Sequence, residues 1–337
     1  MTTYELLEEL RRFECRRRDE VVVREKTRLT YSLNGAPRLQ VNSTLWDYAI
    51  SGWAMSQLST LHDIPWSWLR KNPPWLTSSI LNHWIAEYSK DKLGRRRHFK
   101  LCLLNGDSST KVIGIVSNRY VSYPYPDFFE DVVEGLDGIL HEVRHSEVNS
   151  GMFEASLTFP TLSMESNDLP LRRVTMGVHL RNSEVGQSSA LVAATINDPA
   201  GVHLVVPEVF LKFCMTRMIH TTKDHTAFIG GVKELLRNIR THYREILDLY
   251  MTSGDYTITL GNIQDLIREE RLGKKLLDEH LQVEIFGKDT DKDKRFNLRE
   301  VIEAISKAAQ QAKGNRRWDL ERIGGNALAM MAAELGI

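Results

Sequence analysis

Cysteine is scarce in this chain: Cys15, Cys102 and Cys214 are the only three in 337 residues, and they lie far apart. An odd, scattered set builds no disulfide framework and no Cys-x-x-Cys metal pair, which fits a reducing cytoplasm. Long apolar runs are missing as well. No stretch approaches the roughly 20 apolar residues that cross a bilayer. The opening MTTYELLEELRRFECRRRDE is charged from its first turn, without the apolar centre of a secretory signal, so neither secretion nor membrane insertion is expected. There is no GxxxxGK[ST] phosphate loop and no GxGxxG after a strand, which argues against a nucleotide-driven motor. No serine or cysteine is paired with a recognisable base. An excess of one charge is lacking too. Lys plus Arg and Asp plus Glu stand at 44 each, so any nucleic-acid surface has to be local.

What is there is a 42% hydrophobic composition that can fill a core, and two local concentrations of cations. Lys90, Lys92, Arg95, Arg96, Arg97 and Lys100 face a single acid, Asp91, and residues 212–245 carry seven cations against three acids. The stretch 95–134 organises the chain: a basic cluster, an apolar run, a turn at Asn105-Gly106-Asp107, a second apolar run and an aromatic loop. It predicts a buried β-hairpin leading to a helix from Asp127 to about His145. Upstream, residues 3–19 form an amphipathic helix, and 20–44 a strand pair turning at Asn34-Gly35. Thr44 caps a helix through Trp46 and Trp53, with Trp46, Trp53, Trp66 and Trp68 expected in the core. Downstream, Val148–Phe159, Val174–Leu180 and Ser188–Ile196 alternate as strands, Ile229–Tyr250 is a long helix, and the tail is mostly helical.

A helix followed by Ile64-Pro65, then Leu81-Asn82-His83-Trp84, an arginine cluster before a strand, and Val116-Ser117-Asn118-Arg119-Tyr120 make up one block; the segment Gly177 to Gly186, Phe213-Cys214 and Met218-Ile219 continue it. Over about residues 45–230 this resembles a domain-of-unknown-function family, numbered 932, of phages and plasmids. Where that family often reads Cys-Thr-Asn-Gly, this chain has Cys214-Met215-Thr216-Arg217. The resemblance implies a mobile-element protein of DNA metabolism, with a distant analogy to phage single-strand annealing proteins. Annealing requires a basic groove rather than a catalytic residue. Arg95, Arg96, Arg97, Lys100, Arg119, Arg217 and Lys223 are the candidate phosphate contacts, and Tyr120 and Tyr123 the candidate stacking residues.

Two motifs point to metal. His141-Glu142-Val143-Arg144-His145 has HExxH spacing, which on a helix places two histidines on one zinc, but Arg144 is out of place beneath such an ion, and zinc is not expected. Asp289, Asp291, Asp293, Arg295, Asn297 and Glu300 occupy the ligand positions of an EF-hand-like loop, with Lys294 where the glycine belongs and no second such loop to pair with. Calcium is the expected ion there. The expected fold is α+β: a central antiparallel or mixed sheet in a core of residues 1–250, with N-terminal helices and a mainly helical C-terminal region, 251–337. The expected function is non-catalytic binding of single-stranded DNA by a cytoplasmic homo-oligomer. A zinc-dependent hydrolase at 141–145 and a phage structural or interaction protein are the alternatives.

Overall fold

Thr2 and Glu5 set the first helix by capping each other: Thr2 Oγ1 accepts the Glu5 N–H at 3.1 Å, and Glu5 accepts the Thr2 N–H at 2.6 Å. The computed structural model describes residues 1–42, 46–107, 109–165, 172–211, 213–220, 225–269, 293–312 and 315–336. After α1 (Thr3–Glu14) come β1 (Arg17–Val23), β2 (Thr27–Tyr31), β3 (Pro37–Val41) and β4 (Trp46–Ile50). Helices α2 (Gly52–Thr60), α3 (Trp66–Leu69) and α4 (Pro74–Glu87) follow, then the hairpin β5 (His98–Asn105) and β6 (Thr110–Ser117). These strands make a mixed sheet in the order β1-β5-β6-β4-β3-β2, in which β4 and β6 are parallel and the other neighbours antiparallel. One face buries Leu29, Leu39, Ile50, Leu101 and Val112 with Leu58, Leu81 and Ile85 of the helices.

The second half opens with α5 (Tyr125–Gly135) and continues through β7 (Glu142–Val148), β8 (Phe153–Glu165), β9 (Arg173–Asn182), β10 (Ala190–Asn197), β11 (His203–Val205) and β12 (Met215–Met218). This sheet is antiparallel, ordered β11-β10-β9-β8-β7, with β12 also beside β10. The long α6 (Thr226–Thr252) lies against it, followed by β13 (Thr257–Thr259), α7 (Leu260–Glu269), β14 (Arg295–Asn297), α8 (Leu298–Gln311) and α9 (Asn315–Leu335). The main core joins one face of this sheet to α1, α5, α6 and the C-terminal helices. No described helix is long and apolar enough to cross a membrane.

The α+β reading, the hairpin at 95–117 and the turn at Gly35 (φ 77°) are all present. Three expectations are corrected. Trp46 lies on β4 rather than in a helix, and α2 starts at Gly52, where Ser51 caps it. The tryptophans do not all fill a core, since Trp46 is 44% and Trp68 50% exposed. The helix expected to reach His145 ends at Gly135, because Asp137 and Gly138 take positive φ (48° and 73°) and turn the chain into β7.

Candidate metal centre

Alternation along β8, β9 and β10 gives the second sheet two different faces. Ala155, Leu157, Val178, Leu180, Val192 and Ala194 point into the main core. The opposite face carries Ser156, His179, Thr195 and Asn197, each no more than 2% exposed. A polar face normally meets water on an antiparallel sheet; here it is covered by α9. The pair Gly324-Gly325 allows that approach. A Cβ on Gly325 would stand 1.9 Å from the Val205 carbonyl oxygen, and one on Gly324 2.5 Å from Leu204 Cδ2. The register then aligns one row across three strands, His145 opposite Ser156 opposite His179, with Ala193 next. His203 is opposite Asn197 on β11, and Glu321 comes down from α9.

His179, His203 and Glu321 each place a ligand atom within 4.8 Å of the other two. All three are buried, at 2%, 5% and 1% exposure. Their lone pairs are largely unused: His179 Nε2, both ring nitrogens of His203, and Glu321 Oε2 have no hydrogen-bond partner. His203 Nδ1 lies 3.0 Å from Glu321 Oε1 without hydrogen-bond alignment. The remaining polar atoms of the cluster are held from behind. Ser156 Oγ contacts His179 Nδ1 at 3.4 Å, and Arg317 Nε donates to Glu321 Oε1 at 2.9 Å. Outer partners of this kind orient metal ligands. Trp318 covers His179, their ring centres 5.0 Å apart.

Burial drives the His179 imidazole down to about 3, so it is neutral at physiological pH. For Glu321, burial pushes the carboxyl up, but His203, His179 and Arg317 outweigh it and hold the group down to about 2. Tetrahedral ligands at about 2.0–2.2 Å from a shared ion stand about 3.3–3.6 Å apart, so donor atoms within 4.8 Å of one another close on an ion by shifts of about an ångström, which side-chain rotations supply.

No protein-family model, curated protein or solved structure matches this chain.

The residues nominated from sequence fall elsewhere. Arg95 and Arg96 are exposed but pair with Asp91 (2.7 Å) and Glu25 (2.9 Å). Arg97 is half-buried in the turn before β5. Lys100 pairs with Asp19 (3.2 Å) and donates to the Tyr120 carbonyl (2.9 Å). Arg119 and Arg217 are exposed, and neither has an ion pair among the described residues. The backbone bond from Val121 N–H to the His220 carbonyl, 3.0 Å, ties their two segments together. Lys223 lies outside the described residues. The stacking role of Tyr123 is corrected, since it is fully buried, donates to Asp131 and packs on His225; Tyr120 is half-buried and donates to the Ser183 carbonyl at 2.7 Å.

The two metal motifs fare differently. The HExxH helix does not exist. Glu142 and His145 lie on β7, and His141 precedes it, its Nε2 3.0 Å from Thr3 Oγ1. Of the calcium loop, Asp289 and Asp291 lie outside the described residues, and Asp293, Arg295 and Glu300 are exposed. Downstream of Asp293, Asn297 Oδ1 caps α8 by accepting the Glu300 N–H, and Phe296 on β14 faces Ile258 on β13. A partner strand exists that the sequence did not announce.

The segments around Trp53, Tyr123 and Val185 meet at the joint between the two sheets. Trp53 Nε1 and Gln57 Nε2 donate to the Val185 carbonyl (3.1 and 2.7 Å), and Asn182 Nδ2 donates to the Tyr123 carbonyl (2.7 Å). Glu184, 1% exposed, pairs with Arg17 and accepts the Tyr125 N–H at 2.5 Å.

Proposed function

We propose that this chain is a metalloprotein that holds one divalent transition-metal ion on His179, His203 and Glu321. The supporting observation is the convergence of these three buried side chains with their donor atoms unused, because buried polar groups in folded proteins are otherwise paired. Two imidazoles and a carboxylate are a donor set for zinc or cobalt rather than for calcium or magnesium. The test is titration of the chelator-treated protein with zinc and cobalt. One ion per chain is expected, with a tetrahedral cobalt spectrum, and His179→Ala should weaken binding at least a hundredfold while His242→Ala, on the surface of α6, leaves it unchanged. A wild-type protein that takes up no ion at micromolar concentration overturns the reading.

A second reading keeps single-stranded nucleic acid as a partner. What favours it is that the segments of Arg119 and Arg217, both exposed, are tied by the Val121–His220 backbone bond, with Met215 and Ile219 of the β12 segment exposed as well. Cations to hold phosphate beside apolar side chains that bases can rest on are the chemistry of strand binding. Anisotropy of a labelled oligonucleotide at about 50 and 200 mM salt checks it: affinity should collapse with salt, and Arg119→Ala/Arg217→Ala should flatten that dependence. Absence of binding at the lower salt sinks the reading.

A further inference from the structure

The metal centre joins two elements that the rest of the packing holds unequally. From Ile323 onward, α9 is fixed by apolar burial: Ile323, Ala327, Leu328, Met331 and Ala332 sit in the main core, and Gly324-Gly325 press against β11. Its first turns are different. Residues 316–321 touch the polar face of the sheet, where their apolar contribution is Trp318 against Leu191, Ala193 and Val205, with Leu320 turned to the core. Arg317 spends its hydrogen bond on Glu321 within the same helix. Two carboxylates of these turns bear on the sheet: Asp319, whose charge acts on the buried Arg181 of β9, and Glu321, opposite two imidazoles from β9 and β11.

Resting on the metal reading above, we propose that the ion is a latch: bound, it pins residues 316–321 of α9 to the second sheet, and its removal loosens those turns while the helix from Ile323 stays packed. Without the ion, His179 Nε2, His203 Nε2 and Glu321 Oε2 are buried polar atoms with no hydrogen-bond partner, and opening the first turns is the movement that returns them to water. With the ion, those same atoms become its ligands, and the helix cannot lift without breaking a coordination bond. The consequence reaches the surface. Trp318 stands over His179 and also forms a wall of a cleft of about 290 Å³ shared with Val205, Pro207, Cys214, Met215 and Arg322. Metal occupancy therefore sets the shape of that cleft.

Hydrogen exchange on the full chain, read by mass spectrometry in chelator-treated and zinc-loaded protein, tests the latch. Peptides covering 316–322 are expected to exchange at least tenfold more slowly with zinc, and peptides covering 326–334 to be unchanged. Glu321→Gln with zinc present should exchange like the metal-free wild type over 316–322. His203→Gln, which leaves the helix sequence intact, should do the same. Equal change in both segments, or none in either although zinc binds stoichiometrically, overturns the latch and leaves the site standing. Failure of zinc to bind at all removes both.

Discussion

A buried imidazole whose loss of water outweighs the charges around it registers pH through its neutrality. His62 and His220 are 7% and 4% exposed, and burial drives each down to about 4. In the folded chain both are neutral at pH 7, whereas in the unfolded chain they take up a proton near pH 6.5. Between about pH 6.5 and 4 the unfolded state binds more protons, so stability falls as pH drops through that window and the contribution ends below it. Urea midpoints at pH 7, 5.5 and 4.5 should decline. The decline should be smaller in His62→Gln and His220→Gln than in the wild type, and equal slopes would contradict neutral burial. At this scale the sequence was hard to read. His179 stands in an alternating strand like any polar residue, and nothing local announces that His203 and Glu321 will face it. The only available signal was a polar set on β9 and β10 too small and too regular to be a wet face.

Whether a spacing carries chemistry depends on the element beneath it. His141 and His145, four apart, lie on one side of a helix, but along a strand they are separated by about 13 Å, and a bulge between Val143 and His145 shifts the register as well. The motif match was therefore empty, and the deciding residues were Asp137 and Gly138, whose left-handed turn replaces the last turns of the expected helix. Period-two alternation was the dependable signal: β9 and β10 fall where it predicts, because one face of each is wholly apolar, whereas the strand expected over Val148–Phe159 is divided, Val148 ending β7 and β8 running from Phe153 to Glu165. It was weaker where a strand is short. β4 has Tyr48 and Ile50 buried and Trp46 exposed, a pattern of five residues that fits a helical period about as well. β13 and β14, three residues each, carry no periodic signal at all, and they exist because each supplies the other's hydrogen bonds.

In the whole molecule, the two sheets are joined by a charge that neither contains alone. Glu184 leaves the end of β9 and meets Arg17 from β1, whose side chain is 3% exposed. Replacing Glu184 with alanine leaves a buried guanidinium with Asp19, 3.1 Å away, as its nearest remaining acid, so a loss of about 3 kcal/mol is expected, the low end for a broken buried pair. Urea unfolding measures it, and Arg17→Met/Glu184→Met should recover most of the loss; a single variant as stable as the wild type would show the joint to be held by packing alone. The polar segment around Glu184 exchanges its hydrogen bonds with Trp53, Gln57, Tyr120, Tyr123 and Tyr125 of the same chain. The amino-acid sequence by itself determined the α+β class, the hairpin at 95–117, the alternating strands and the long helix after Thr226, because each follows from contacts and periodicities within a few residues. Which strands become neighbours, the burial of Tyr123, the backbone tie between Val121 and His220, and the convergence of His179, His203 and Glu321 were decided by tertiary structure. These depend on α9 crossing a sheet built more than a hundred residues earlier, and the close approach that permits it is set by two glycines whose role appears only when the helix and β11 are in place.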